Sequence, residues 1–275
     1  MNADLHCHSV ASDGLLAPRD LVARAAANGV ELLALTDHDD TSGLAEARAG
    51  AEERGVRLVD GVEISVSWRG TTVHIVGLRI DPETPALRGG LQSIRRGRAA
   101  RAEKIGRALD AAGVPDSLAG ARRHAENPEL ISRAHFARYL VEAGCAPDVK
   151  NVFQRYLVKD KPGFVPHEWA LLEDAVGWIR ASGGVAVVAH PGRYKLHKSE
   201  MREFFAEFKD CGGTGIEVVT GSHTPEQFVE FARVAREFGL LASRGSDYHG
   251  KGESRADLGA LPPLPGDLKP VWHDW

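Results

Sequence analysis

Asp4-Leu5-His6-Cys7-His8-Ser9-Val10-Ala11-Ser12-Asp13-Gly14 stands almost at the start of the chain. A short apolar run ends in two histidines one residue apart, and an aspartate follows five residues after the second. Residues two apart on a strand point to the same face. His6 and His8 can therefore reach one metal ion together from a single strand end, and Asp13, on the following loop, can reach a neighbouring ion. Imidazole and carboxylate together suit zinc, manganese or iron. A lone His-x-His pair is weak evidence. It gains weight here because further His/Asp/Glu clusters recur along the chain, each at the end of an expected strand.

Working outward, Pro18 opens a helix that stops at Gly29, with Leu21, Val22, Ala25 and Ala26 on one face. Leu32 to Leu35 is a continuous apolar run, as a buried parallel strand should be, and it leads into Thr36-Asp37-His38-Asp39. Asp37 can cap the helix that follows, from about Ser42 to Arg54. Residues 56–62 read as the next strand, ending at Glu63. Ile64 to Trp68 and Thr71 to Leu78 then read as a hairpin with His74 on its second strand. Residues 82–170 contain no good strand and are rich in Arg and Ala, which predicts an inserted helical cap. The β/α alternation resumes with a strand at Val185–Ala189 ending at His190-Pro191. Another, Gly215–Val219, ends at Thr220-Gly221-Ser222-His223. The last, Leu240–Ser243, ends at Gly245-Ser246-Asp247-Tyr248-His249. About seven strands alternating with helices predict an α/β fold, 1–81 with 171–275, built on a mainly parallel sheet that is open or closed into a barrel. In β/α barrels the C-terminal rim of the strands carries the active site.

Composition narrows the classes. The chain has 275 residues, 43% hydrophobic and 26% charged, with a formal net charge of −4. That is ordinary for a globular protein, and any nucleic-acid contact must come from a local basic patch. Cys7, Cys145 and Cys211 form no C-x-x-C pair, so they suggest neither a disulfide framework nor a zinc knuckle. No basic segment followed by an apolar core opens the chain and no apolar run approaches membrane-spanning length. The expectation is a reduced, cytoplasmic protein with no membrane contact. No protein partner can be inferred.

His6, His8, Asp13, His38, Glu63, His74, His190, Asp247 and His249 converge if the barrel closes. Nine ligand-type side chains exceed what one ion needs, so the expected site is multinuclear. Burying so many acids and imidazoles without metal would be costly.

At this point the sequence resembles a known family. Asp4-Leu5-His6-Cys7-His8-Ser9 with Ser12-Asp13-Gly14, Thr36-Asp37-His38, Gly61-Val62-Glu63, His74, Ala189-His190-Pro191 and Gly245-Ser246-Asp247-Tyr248-His249 resemble the polymerase and histidinol phosphatase (PHP) superfamily. The match covers all of the chain except the cap. The resemblance implies a distorted seven-stranded β/α barrel that binds three divalent metals. It places His6, His8, Glu63 and Asp247 on the first metal and Asp13, His38 and His249 on the second. Glu63, His74 and His190 would hold the third, with Glu63 bridging. Ser132-Arg133-Ala134-His135-Phe136, Phe164-Val165-Pro166-His167-Glu168-Trp169, His190-Pro191-Gly192-Arg193-Tyr194 and Thr220-Gly221-Ser222-His223-Thr224 look like one branch of that family. It releases the 3′-phosphate of nucleoside 3′,5′-bisphosphates, and some of its members shorten short RNA from the 5′ end. The resemblance implies manganese as the working metal; zinc and iron also suit the ligand types.

The mechanism it implies is attack on phosphorus by a metal-bridging hydroxide held by Glu63 and Asp247. Arg133 is the expected phosphate clamp, because its planar fork suits phosphate bidentately. Ser132 adds a hydroxyl donor. His135 is expected either to donate to phosphate or to protonate the leaving oxygen. Arg98 and Arg101, three apart in the most basic run of the chain, share a helix face; they meet a second phosphate or an RNA backbone, or form a solvated surface. Arg193, Lys195, His197 and His223 follow strand ends and rank lower as substrate contacts. Three other functions compete. They are an amidohydrolase acting on a C–N bond, a histidinol phosphate phosphatase, and a non-catalytic metal-stabilised module. The last is disfavoured because every ligand position is filled.

Overall fold

A computed structural model describes residues 1–275. Seven strands lie side by side in chain order: β1 (Ala3–Asp4), β2 (Leu32–Leu35), β3 (Arg57–Trp68), β4 (Thr71–Leu78), β5 (Val185–Val188), β6 (Gly215–Thr220) and β7 (Leu241–Gly245). β1 to β3 pair in parallel, as do β5 to β7, whereas β4 runs antiparallel to both of its neighbours. The edges meet. Leu5 N donates to Arg244 O at 2.9 Å, Asp247 N donates to His6 O at 2.8 Å, and Cys7 bridges Tyr248 in parallel. The result is a nearly closed seven-stranded α/β barrel, more mixed in direction than the sequence suggests.

The strand expected to end at Glu63 does not end there. Residues 57–68 form one strand, and Glu63 sits in its middle, paired across the ladder with Val76. The antiparallel β4 holds the strand together past the buried carboxylate, so a polar residue inside an apolar run is not a strand boundary here.

Successive side chains of a strand alternate faces, and the core divides accordingly. Leu33 and Leu35 of β2 pack outward against α1 (Pro18–Ala27) and α2 (Leu44–Arg54) in the main core, whereas Leu32 and Ala34 point into the barrel. Val271, Trp272 and Trp275 from the C-terminal tail join that inner cluster. Further helices cover the outside: α7 (Leu172–Ala181), α8 (Lys198–Asp210) and α9 (Pro225–Phe238). Thr224 caps α9 in a reciprocal pair with Gln227, and Gly239 ends it at φ 62°.

Residues 82–170 are helical, with α3 (Pro85–Ala111), α4 (Ser117–Arg123), α5 (Arg133–Glu142), α6 (Val149–Val152) and a π-helical turn at Phe153–Leu157. The cap does not begin cleanly at residue 82. Leu87, Leu91 and Ile94 of α3 belong to the main core, and Ala102, Ile105 and Leu109 belong to a separate cap core. Gly90 lies flat on Trp178 of α7, where a Cβ would fall 2.4 Å from the indole. The helix changes partner at mid-length while its apolar stripe continues, which is why the sequence places the boundary too early. No helix is long and apolar enough to cross a membrane.

Candidate metal centre

Six of the seven strands bring ligand-type side chains to one place. His6 and His8 follow β1, with Asp13 on the next loop, and His38 follows β2. Glu63 lies in β3, His74 in β4, His190 after β5, and Asp247 and His249 after β7. His6 Nε2 and His8 Nε2 lie 3.1 Å apart, and each lies 3.4 to 3.6 Å from Glu63 Oε2 and Asp247 Oδ1. Donors about 2.1 Å from a shared ion stand about 3.4 Å from one another at tetrahedral corners, so these spacings fit. Around them, His8, Asp13, His38 and His249 form one compact set, His6, His190 and Asp247 a second, and His38, Glu63 and His74 a third. All nine residues fall in such sets. The grouping differs in detail from the family partition, because His190 approaches both Glu63 (2.8 Å) and the His6–Asp247 set.

The donor atoms converge on shared points more than on one another. His8 Nδ1, Asp13 Oδ1, His38 Nδ1, Glu63 Oε2, His190 Nδ1 and Asp247 Oδ1 are buried without a hydrogen-bond partner. His38 Nδ1 and Glu63 Oε2 are only 2.9 Å apart, yet neither is satisfied by the other. Buried polar atoms otherwise find partners, and this many orphans in one place fit a set of cation ligands.

Burial and the neighbouring charges divide the imidazoles: the acids hold His6 and His38 up against burial, whereas His8 and His190 are lowered. Burial, with the neighbouring His249 and His38, pushes His8 down to about 3. Burial and Arg193 push His190 down to about 3. Both are therefore neutral, the state that binds metal. Burial opposes the charge on Glu63 and Asp13, but the surrounding histidines hold both carboxyls well below their usual range. Against burial, Asp13 holds His249 up to about 9.

A second layer of buried acids holds the first. Asp37 caps no helix; it accepts from Ser9 N, Ser9 Oγ and Ser12 Oγ at 2.5 to 2.7 Å and so pins the loop that delivers Asp13. Asp4 accepts from Ser246 N and Gly259 N, both at 2.8 Å, and fixes the loop carrying Asp247. Glu217 accepts from His6 Nδ1 and His190 N. Asp39, His190 and Asp247 adopt positive φ values of 50°, 24° and 55°. Such backbones cost about 1–3 kcal/mol each and persist where surrounding contacts impose them. The sequence reading passed over Asp4 and Glu217. The signal was present in each case as a lone acid inside an apolar strand, which must find a partner.

The expected substrate contacts divide. Arg133 opens α5, half-buried, with its guanidinium 5.6 Å over the Phe153 ring and no hydrogen bond or carboxylate partner. Burial, with Arg193 and Arg98 nearby, lowers it to about 10. Arg101 is similar: one bond to Val165 O (3.2 Å), no ion pair, and a value lowered to about 9 by burial and by Arg133. Arg193 is exposed and reaches Asp247 Oδ2 at 3.1 Å. Ser132 caps α5, and its N–H donates to His135 Nδ1 at 3.0 Å.

Arg98 does not face outward with Arg101. Its Nε donates to Asp39 Oδ2 at 2.7 Å and its Nη2 to Ser65 Oγ at 2.8 Å, in a buried pair that ties the cap to the barrel. A face shared at i, i+3 broadens enough for one arginine to turn inward, and the lone buried Asp39 takes it. His223 is likewise consumed by the fold. Gly192 N donates to its Nε2 at 2.9 Å, its Nδ1 bonds Val218 O at 3.2 Å, and its ring stacks on Phe231 at 4.8 Å. His197 and Lys195 are exposed, and neither contacts any of the nine residues; His197 caps α8. A groove of about 830 Å³, lined by Val10, Ala11, Asp40 and Arg95 among others, holds none of the nine. Its arginines Arg48, Arg88 and Arg95 are all paired with acids.

Residues 4–221 match the PHP domain family. A 3′,5′-nucleoside bisphosphate phosphatase from Chromobacterium violaceum is 52% identical over 99% of this chain and 96% of its own length. A 5′-3′ exoribonuclease from Haemophilus influenzae is 44% identical, over 98% of this chain and 97% of its own. A solved structure from Chromobacterium violaceum, described as an amidohydrolase with bound sulfate and no metal, superposes with a TM-score of 0.97. It is 52% identical and covers 100% of this chain and 95% of its own. Another, described as a metal-dependent phosphoesterase from Bifidobacterium adolescentis, superposes at 0.84 with 28% identity, over 98% of this chain and 93% of its own.

Proposed function

This chain belongs to the PHP domain family, and on that premise we propose that it is a manganese-dependent phosphatase of nucleoside 3′,5′-bisphosphates. It removes the 3′-phosphate, leaves the 5′-monophosphate, and also trims short RNA from the 5′ end. That it is a metal-dependent phosphoesterase follows from the family itself, and the choice of substrate is the finer step. The observation that carries the finer one is the pair of half-buried arginines without acid partners, Arg101 and Arg133, beside a cluster of nine cation ligands. Enclosed guanidinium groups held away from carboxylates ask for an anion, and two of them ask for more than one phosphate. The relatives named for bisphosphate and RNA substrates, each aligned over nearly the whole chain, support the same reading.

His6, His8, Asp13, His38, Glu63, His74, His190, Asp247 and His249 would hold divalent ions, which would lower the pKa of a bound water towards neutrality and offset phosphate charge. The chain's own groups do the rest. Arg133 and Arg101 hold phosphate oxygens, and the exposed donors of Arg193 lie beside Asp247. Ser132 positions His135: its N–H occupies Nδ1, so the ring proton sits on Nε2. Burial lowers His135 to about 4. A neutral imidazole at pH 7 is a better hydrogen-bond donor than proton donor, so His135 is assigned to hold phosphate.

The amidohydrolase description of one solved relative keeps a second reaction in view, C–N hydrolysis. A side-by-side assay of manganese-loaded protein on adenosine 3′,5′-bisphosphate, histidinol phosphate and a cyclic amide separates the three. The proposal expects the bisphosphate to have the highest kcat/KM by at least about a hundredfold, worth about 2.7 kcal/mol. A faster cyclic amide would move the assignment to C–N bonds, and a faster histidinol phosphate would move it to that monoester.

A further inference from the structure

β6 is the one strand that sends no ligand-type side chain into the metal centre. It sends Glu217, buried at 1% exposure between β5 and β7. Glu217 Oε1 accepts from His6 Nδ1 at 2.8 Å, and its Oε2 accepts from His190 N at 2.6 Å. Both oxygens are occupied, and Glu217 belongs to none of the compact ligand sets. Just past the same strand, Ser222 Oγ donates to Asp247 Oδ2 at 2.7 Å. His6, His190 and Asp247 form one ligand set, and β6 with the turn that follows it bonds all three.

We infer that β6 is the positioning strand of that set, with Glu217 as its principal residue. The inference rests on the nine side chains holding divalent ions. Glu217 accepts a hydrogen bond from His6 Nδ1–H, so Nε2 keeps its lone pair and points at His8, Glu63 and Asp247. The same carboxylate anchors His190, whose backbone sits at φ 24°, ψ 57°. A non-glycine residue seldom adopts that left-handed conformation without something to hold it. Here the hydrogen bond to Glu217 holds the turn that carries the His190 ring to Glu63. One carboxylate therefore sets a tautomer on one side of the barrel and a strained backbone on another. Ser222 does a smaller version of the same for Asp247.

Glu217→Gln separates this role from a structural one. An amide offers a single acceptor oxygen, so it satisfies only one of the two N–H donors. Manganese binding to full-length, metal-stripped protein is measured without substrate, so failure of the bisphosphate assignment leaves the readout intact. The expected result is a 10- to 100-fold weaker affinity for the most loosely held manganese. Beside it, kcat falls at unchanged KM, and the His6 tautomer, read by nitrogen NMR of the zinc-loaded protein, shifts away from Nδ1–H. Ser222→Ala shows the same pattern with a smaller loss. Wild-type manganese affinity and an unchanged His6 tautomer in a folded Glu217→Gln protein overturn the inference. If that variant does not fold, Glu217→Asp decides. It keeps both acceptor oxygens one methylene short, so weakened manganese binding supports the role and wild-type binding overturns it.

Discussion

The rim of the barrel and the inner face of the cap both concentrate charge, but they handle it in opposite ways. At the rim, carboxylates and imidazoles face one another at 2.8 to 3.9 Å, and a second layer of acids fixes their orientation. Along the cap, Arg101 and Arg133 are half-buried and form no ion pair. Residues 82–170 carry 15 Lys and Arg against 10 Asp and Glu, a balance of +5, while the rest of the chain stands at −9. His249 and His135 show the contrast in one residue type. Against burial, Asp13 holds the first up to about 9; burial takes the second down to about 4. On the proposed reading the rim takes the cations and the cap takes the anion, and a phosphate ester coordinated by metal needs both.

Arg98 makes one of the buried ion pairs that join the two regions, and removing it should have the largest effect. Arg98→Ala leaves Asp39 buried and unpaired, and breaking such a pair costs about 3–5 kcal/mol. Urea unfolding should show this loss; a cost below about 1 kcal/mol would mean the cap and barrel are not held together there. Glu63→Gln, which removes the carboxylate shared by five histidines, should lower kcat/KM more than about a hundredfold, or 2.7 kcal/mol. Retention of most activity would remove Glu63 from the centre of the account.

The pH response tests the cap alone. His135 is lowered from its ordinary value of 6.5 to about 4, so the unfolded chain takes up a proton that the folded chain refuses. Stability therefore falls as pH drops from 6.5 towards 4, and this group contributes nothing above 6.5. Between pH 7 and pH 5 the wild type should lose about 2 kcal/mol more than His135→Asn. Parallel stability curves would show that His135 is not buried without a countercharge. Arg133→Ala should lower kcat/KM on the bisphosphate by at least about tenfold, or 1.4 kcal/mol. A smaller loss would dismiss it as a phosphate clamp. His197→Ala should change kcat/KM by less than about twofold, because the ring is exposed and touches none of the nine residues. A larger loss would draw the substrate path away from the cap and towards α8.

Much of the rim was legible before any coordinates. His-x-His after β1, Thr-Asp-His after β2 and Ser-Asp-Tyr-His after β7 each combine a buried strand with polar residues that have no business in a core. Glu63 was legible as a ligand but not as a mid-strand residue, because the period-two pattern of β3 continues through it and the pairing with β4 is long-range. The supporting acids were harder. Asp37 adopts a role, pinning Ser9 and Ser12, that depends on a loop folding back across more than twenty residues. His223 and Arg98 carried the right chemistry for substrate contact and are used by the fold instead. Nothing in a single sequence distinguishes a free imidazole from one whose two nitrogens are already bonded. The cap boundary escaped for a related reason: Leu87, Leu91 and Ile94 continue without a break into Ala102, Ile105 and Leu109, and only the packing shows that the partner changes.

The most direct test is the fate of adenosine 3′,5′-bisphosphate given to metal-stripped protein with manganese, zinc or nothing added back. Phosphate release and the identity of the remaining monophosphate are read together. The account predicts release that depends on manganese and leaves the 5′-monophosphate. Release leaving the 3′-monophosphate, or no release with either metal, would contradict it.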